Sequence, residues 1–180
     1  MKPILIQTAR LRIAEWKPSM AAALSRISQD RENRRFLPDE VFETPKQALE
    51  AIQRLLRCRE TGKGAQVLPV LLPEGTLIGH VEVAPLEDAR WEAGYHIGAL
   101  WRGQGYAAEA LEAFLPVILP ELGLTHCWGI CAEKNRASRR VLERCGFQPA
   151  EEKETRAHGR PAVMLRYSYT LPEAETQKES

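Results

Sequence analysis

The stretch GALWRGQGYAAEALEAF, Gly98 to Phe114, constrains the fold of this chain most, because it sets two glycines and a basic residue between a strand-like segment and a helix-forming run. A run of backbone N–H groups and the positive end of a helix hold an anion well at such a junction. Gly103 and Gly105 let backbone approach a phosphate with no Cβ in the way, and Arg102 adds a charge-assisted donor. The local chemistry is that of a phosphate or pyrophosphate site. Taken alone, the same pattern also describes a plain glycine turn before a helix.

The rest of the chain limits which fold can carry that junction. ILIQTARLRIAEW alternates apolar and polar residues and reads as a first strand. SMAAALSRIS and TPKQALEAIQRLLRCRE follow with helical spacing, the second opened by Thr44 as N-cap and Pro45 at the first helical position. AQVLPVLLP, TLIGHVEVAP and WEAGYHIGAL are then three strands joined by turn signals, as in an antiparallel meander. Beyond the loop come a helix from Tyr106, the strand THCWGICAE, the helix ASRRVLERCG, and two strands, GFQPAEEKE and AVMLRYSYTL, joined at HGR. This order predicts a mixed α/β sheet in one domain over residues 1–172, with residues 173–180 a polar, unordered tail.

Composition removes several classes of function. At 180 residues with 44% hydrophobic and 27% charged, the chain is an ordinary globular one, and a net charge of +1 gives no whole-molecule field for nucleic acid or an anionic membrane. RENRRF and RLLRCRE mix their bases with acids and read as solvated helix faces. No apolar run spans a membrane, and charges interrupt the N-terminus too early for a signal peptide, so a cytoplasmic location is expected. Cys58, Cys127, Cys131 and Cys145 have no zinc spacing; free thiols are expected, with Cys127 and Cys131 on one face of a strand and no metal site.

Two ligands compete for the loop. Gly103-x-Gly105-x-x-Ala108 fits a dinucleotide fingerprint, and Glu133 falls near the place of a ribose-binding acid. Against NAD, the unit stands after a meander, and too few strand–helix–strand units follow to wind a parallel nucleotide-binding sheet. RGQGYA, with Arg102, Gly105 and Ala107, resembles instead the pyrophosphate loop Gln/Arg-x-x-Gly-x-Gly/Ala of the GNAT acetyltransferases. NRASRRVLERCGF, Asn135 to Phe147, is similar to that superfamily's second motif, an Asn-x-x-Ser/Ala helix ending in Gly-Phe. TARLRI, FLP, LIGHVEV and EAGYHI extend the resemblance over most of residues 8 to 171, toward the branch of ribosomal-protein N-terminal alanine and serine acetyltransferases.

The resemblance implies a mostly antiparallel sheet with splayed central strands flanked by helices, and acetyl-CoA as co-substrate. The pantetheine arm would pair along His96, Ile97, Gly98 and Ala99, and Arg102, Gly103, Gln104, Gly105, Tyr106 and Ala107 would form the pyrophosphate loop, with Tyr106 in a packing role. Asn135 would bond cofactor or backbone at the helix start. An amine attacks a thioester only when neutral, and pKa values of about 10.4 for lysine or about 7.7–8.0 for an α-amino group call for a proton acceptor. Glu92 is the first candidate base, Glu82 the second and Glu154 the third. Where many relatives carry a thiolate-protonating tyrosine this chain has Leu142, so Ser138 is the candidate acid beside its plain role in a first helical turn. His80 and His96 are packing or surface residues, with a base or a substrate contact as the alternative, and Trp101 anchors the loop. The expected acceptor is a protein N-terminal amine; a small amine (polyamine, amino acid or aminoglycoside) is the alternative, and a non-catalytic acyl-CoA-binding module the reading of another class. The oligomeric state is open.

Overall fold

The computed structural model describes residues 4–87, 89–157 and 160–172. One eight-stranded sheet runs through it in the order β1-β2-β3-β4-β5-β6-β8-β7. The strands are β1 (Ile6–Gln7), β2 (Arg12–Ile13), β3 (Gln66–Leu71), β4 (Leu77–Pro85), β5 (Trp91–Ile97), β6 (His126–Ala132), β7 (Gln148–Ala157) and β8 (Arg160–Thr170). The helices are α1 (Ala21–Ser28), α2 (Arg31–Phe36), α3 (Pro45–Thr61), α4 (Tyr106–Glu121) and α5 (Arg136–Arg144). The meander β3–β4–β5, the helix after the loop and the closing hairpin stand where the sequence periodicity puts them. The tail 173–180 and His158 and Gly159 of the HGR joint lie outside the described residues.

Two expectations are corrected. The expected first strand is two short ones, folded back where the Thr8 hydroxyl accepts from the N–H groups of Leu11 (2.9 Å) and Arg10 (3.3 Å). A hydroxyl that satisfies local backbone donors competes with a continuous ladder, which alternation alone does not reveal. RENRRF forms a third helix, α2, where two were expected before the meander; its charged residues are exposed, Asn33 is buried, and Arg34 and Arg35 line the main cleft. Its start is fixed by Asp30, whose carboxylate accepts from the N–H groups of Glu32 and Asn33.

The core lies on both faces of the sheet. Leu111, Phe114, Leu115 and Ile118 of α4 pack on Leu68, Val70, Ile78, Val81 and Val83, while α1 and α3 bury Leu24, Ala48 and Ile52 with Trp16, Leu71 and Leu77 on the other face. Alternation along β3 sends Leu68 and Val70 to one core and Leu71 to the other, and the register with β4 shifts between Val70 and Leu71, where Ile78 is left without a partner. All four cysteines are free thiols; Cys127 and Cys131 are both buried on one face of β6, whose burial alternates along its length.

Among the described residues only β5 and β6 pair in parallel, and only at Glu92–Trp128 and Ala93–Gly129. Beyond Ala93 the two strands part, because β6 stays paired with β8 from His126 to Ala132 while β5 follows β4 to Ile97. A cleft of about 1790 Å³ opens in the gap. This sheet, with one short parallel contact, also removes the NAD reading, which needs successive parallel strands.

Candidate functional site

At one end of the cleft lies the glycine loop. Gly103 and Gly105 have φ of 76° and 83°, the left-handed region that a side chain strains. Gly105 is the N-cap of α4 and brings no side-chain acceptor, so the first N–H groups of the helix face outward without a cap. A Cβ on Gly105 would stand 3.3 Å from Arg144 Nη1, at the far end of α5. Arg144 lines the cleft and is a cation that the motif reading missed; its position one turn after Arg140 on the same helix face is the signal that could have found it.

Arg102 differs from its expected use. Its Nη1 and Nη2 donate to the two carboxylate oxygens of Asp30 at 2.9 and 2.7 Å, and its Nε donates to the Ile97 carbonyl at 2.7 Å. The guanidinium therefore ties the loop to the Asp30 carboxylate at the N-cap of α2 and to the end of β5, while still lining the cleft. Burial opposes ionisation of Asp30, yet the bonds from Arg102 and the backbone hold its carboxyl below the usual carboxylate range.

Of the other expected contacts, His96, Ile97, Gly103, Gly105, Tyr106, Ala107, Asn135 and Ser138 all line the cleft. Gly98, Ala99 and Gln104 do not. The N–H of Gly98 is spent on the Ile78 carbonyl at 2.8 Å, Ala99 starts a 3-10 turn, and the Gln104 amide donates to the Leu100 carbonyl at 3.3 Å. Tyr106 packs, with the Arg10 guanidinium 4.5 Å above its ring. Asn135 caps α5 by accepting from the Ser138 N–H at 3.1 Å.

Ser138 has an unexpected partner. The Tyr95 hydroxyl, reaching from β5, lies 2.8 Å from Ser138 Oγ and donates to the Ser138 carbonyl at 3.0 Å. Burial pushes the Tyr95 phenol up against the lowering effect of Ser138, so it stays protonated at neutral pH. Leu142, 1% exposed, packs on Gly129 in the core. A phenol thus reaches this wall from the strand and meets the Ser138 hydroxyl of the helix.

On the opposite face of β5 stands the acidic group. Glu92, Glu82 and Glu40 line the cleft together, and Glu154 of β7 reaches it from the far side, exposed. Burial, with the negative charge of Glu82 next, raises Glu92 to about 7, although Arg166 pulls it down. Behind it, His80 Nε2 lies 3.0 Å from Glu40 Oε2, and the His80 and His96 rings are 5.5 Å apart. Burial disfavours charge on His80, but the Glu40 bond outweighs it and raises the imidazole; His96, buried and close to His80, is pushed down to about 3 and stays neutral. Glu40 and Asp30 were not legible as site residues, because each lies in a segment distant in sequence from the strands that it meets.

The arrangement offers an anion seat, an unpaired strand edge and a carboxylate poised near neutrality at the point where the strands part. The chain matches the family model for the acetyltransferase (GNAT) domain over residues 10–148. It is 28% identical over 145 residues to the N-acetyltransferase YnaD of Bacillus subtilis, covering 79% of this chain and 82% of the relative. A ribosomal-protein-serine acetyltransferase structure from Vibrio cholerae superposes with a TM-score of 0.76 at 25% identity, covering 94% of this chain and 99% of that one. RimL, a ribosomal alpha-N-protein acetyltransferase solved with coenzyme A, gives 0.81 at 16% identity, over 93% of this chain and 98% of its own. With the family model matched from the first hairpin to the last motif, on the splayed sheet that its fold requires, the chain belongs to the GNAT acetyltransferase family.

Proposed function

We propose that the protein acetylates a protein N-terminal amine by direct attack in a ternary complex with acetyl-CoA. Acetyl-CoA supplies the activated acetyl thioester. The uncapped start of α4, with Gly103 and Gly105, fits the pyrophosphate, and Arg144 adds charge there. The β5 edge beyond Ala93 fits the amides of an extended arm.

The acceptor arrives in water largely as an ammonium ion. Glu92 takes its proton, directly or through water, and a carboxylate near pH 7 is matched to that task. The departing thiolate accepts a hydrogen bond from the Ser138 hydroxyl, which lies 2.8 Å from the Tyr95 phenol, and takes its proton from water, to which Glu92 returns the proton of the amine. The observation that carries the reading is Glu92 itself, set where β5 and β6 separate and raised into the working range. The N-terminal acceptor is supported by the ribosomal-protein acetyltransferases among the structural neighbours. An α-amino group also needs the smaller deprotonation.

Release of free thiol from acetyl-CoA is measured against a panel of N-terminal peptides and a panel of polyamines, amino acids and aminoglycosides. Turnover with peptides alone supports the reading. Turnover with small amines alone reassigns the acceptor, and amine-independent binding without release reduces the protein to an acyl-CoA-binding module.

A further inference from the structure

Three successive cross-strand pairs, Ala84–Glu92, Glu82–Gly94 and His80–His96, share the face of β4 and β5 that carries the acidic group. Glu82 does not stand away from the sheet: its side chain lies across the neighbouring strand, on Gly94. A Cβ at Gly94 would meet Glu82 Oε1 at 2.5 Å, Cγ at 3.0 Å and Cδ at 3.2 Å. Gly94 does not have the left-handed φ that would itself demand glycine. The space that excludes a side chain at 94 is therefore the space that Glu82 fills.

Lying there, Glu82 stands between Glu92 and His96 along the face of β5. Among the described residues it has no hydrogen-bond or ion-pair partner, whereas Glu40 beside it is paired with His80. The charged groups acting on Glu92 are Glu82 from β4, Glu40 from the turn after α2 and Arg166 from β8, and Arg166 is already paired with Glu151 at 3.2 Å. His96, on the same strand, is neutral. Burial, with the Glu40 charge next, raises Glu82 as well, while His80 pulls it down. Two close carboxylates resist ionising together, so the pair of Glu82 and Glu92 keeps an affinity for a proton that burial alone would not give.

We propose that Gly94 is the seat of Glu82 and that Glu82, so seated, is a positioning residue that keeps Glu92 receptive to a proton at neutral pH. The proposal rests on Glu92 as the proton acceptor. It also explains why a glycine interrupts a strand whose ladder would be better served by a side chain.

The test compares the pH dependence of kcat/KM from pH 5 to 9 in wild type, Glu82→Gln, Gly94→Ala and Glu92→Gln, with one acceptor throughout so that the acceptor's own titration cancels. Glu82→Gln removes the charge and keeps the shape. Gly94→Ala keeps the charge but displaces the Glu82 side chain from Cγ outward, away from its seat. Both are expected to remain active and to move the midpoint of the acid limb down by about half to one pH unit, as loss of a like charge, or its displacement from Glu92, requires. The double variant should move it no further than either alone. An unmoved acid limb in both single variants overturns the proposal. Full activity in Glu92→Gln with none in Glu82→Gln overturns the Glu92 reading instead, and makes Glu82 the base.

Discussion

The two ends of the cleft are built in opposite ways. The loop end is backbone: left-handed glycines, an uncapped helix start and a strand edge, all within Trp91–Glu121. The amine end is side chain: Glu92 and Tyr95 from β5, Glu82 from β4 with His80 behind it, Glu40 from the turn after α2, and Ser138 from α5. A backbone site tolerates loss of single side chains but not an added one, while a side-chain site has the reverse sensitivity. That contrast is what substitution can break.

The largest effect is expected at the amine end. Glu92→Gln should lower kcat by about 10²–10⁴-fold with acetyl-CoA affinity unchanged, measured by thiol release and calorimetry. The same change should stabilise the fold at pH 8. Glu92 is raised to about 7 when folded against about 4.3 in the unfolded chain, so its contribution is most favourable below about pH 4 and is lost as pH rises through 7. Removing that ionisation is worth about 1–3 kcal/mol in thermal melts at pH 8, with no gain at pH 4.

At the loop end the damaging change is an addition. Gly105→Glu forces a side chain and a negative charge onto a left-handed position 3.3 Å from Arg144 Nη1, and acetyl-CoA affinity should fall by about 100-fold in calorimetric titration. A smaller effect is expected for Tyr95→Phe. Losing the bond to Ser138 removes about 1–1.5 kcal/mol, a kcat reduced about tenfold at unchanged acetyl-CoA affinity. Smallest is Arg144→Ala, a few-fold loss of acetyl-CoA affinity that shrinks further with added salt. If Arg144→Ala proved as damaging as Gly105→Glu, the loop would be a side-chain site after all.

The same contrast governs what the sequence disclosed. The loop, its helix, the meander before it and the Asn135 cap are local patterns, and each was readable from neighbours a few residues apart. Arg102 was read as a donor, but its pairing with Asp30 was not visible, because Asp30 lies at the start of a helix whose polar sequence RENRRF shows no apolar stripe. Leu142 suggested a missing hydroxyl, and nothing local connects it to Tyr95 across the gap. The Glu82–Gly94 contact depends on strand register, which alternation places only to within a residue or two.

The short parallel contact between β5 and β6 makes the sheet a wedge: two plates, one ending in β5 and the other beginning with β6, joined at Glu92–Trp128 and Ala93–Gly129. When a wedge opens or closes, points move in proportion to their distance from its apex. Ile97 and Ala132, at the strand ends, take up most of any change in spacing. Glu92 sits at the apex, so the proposed proton acceptor holds its station against Trp128 whatever the width of the gap.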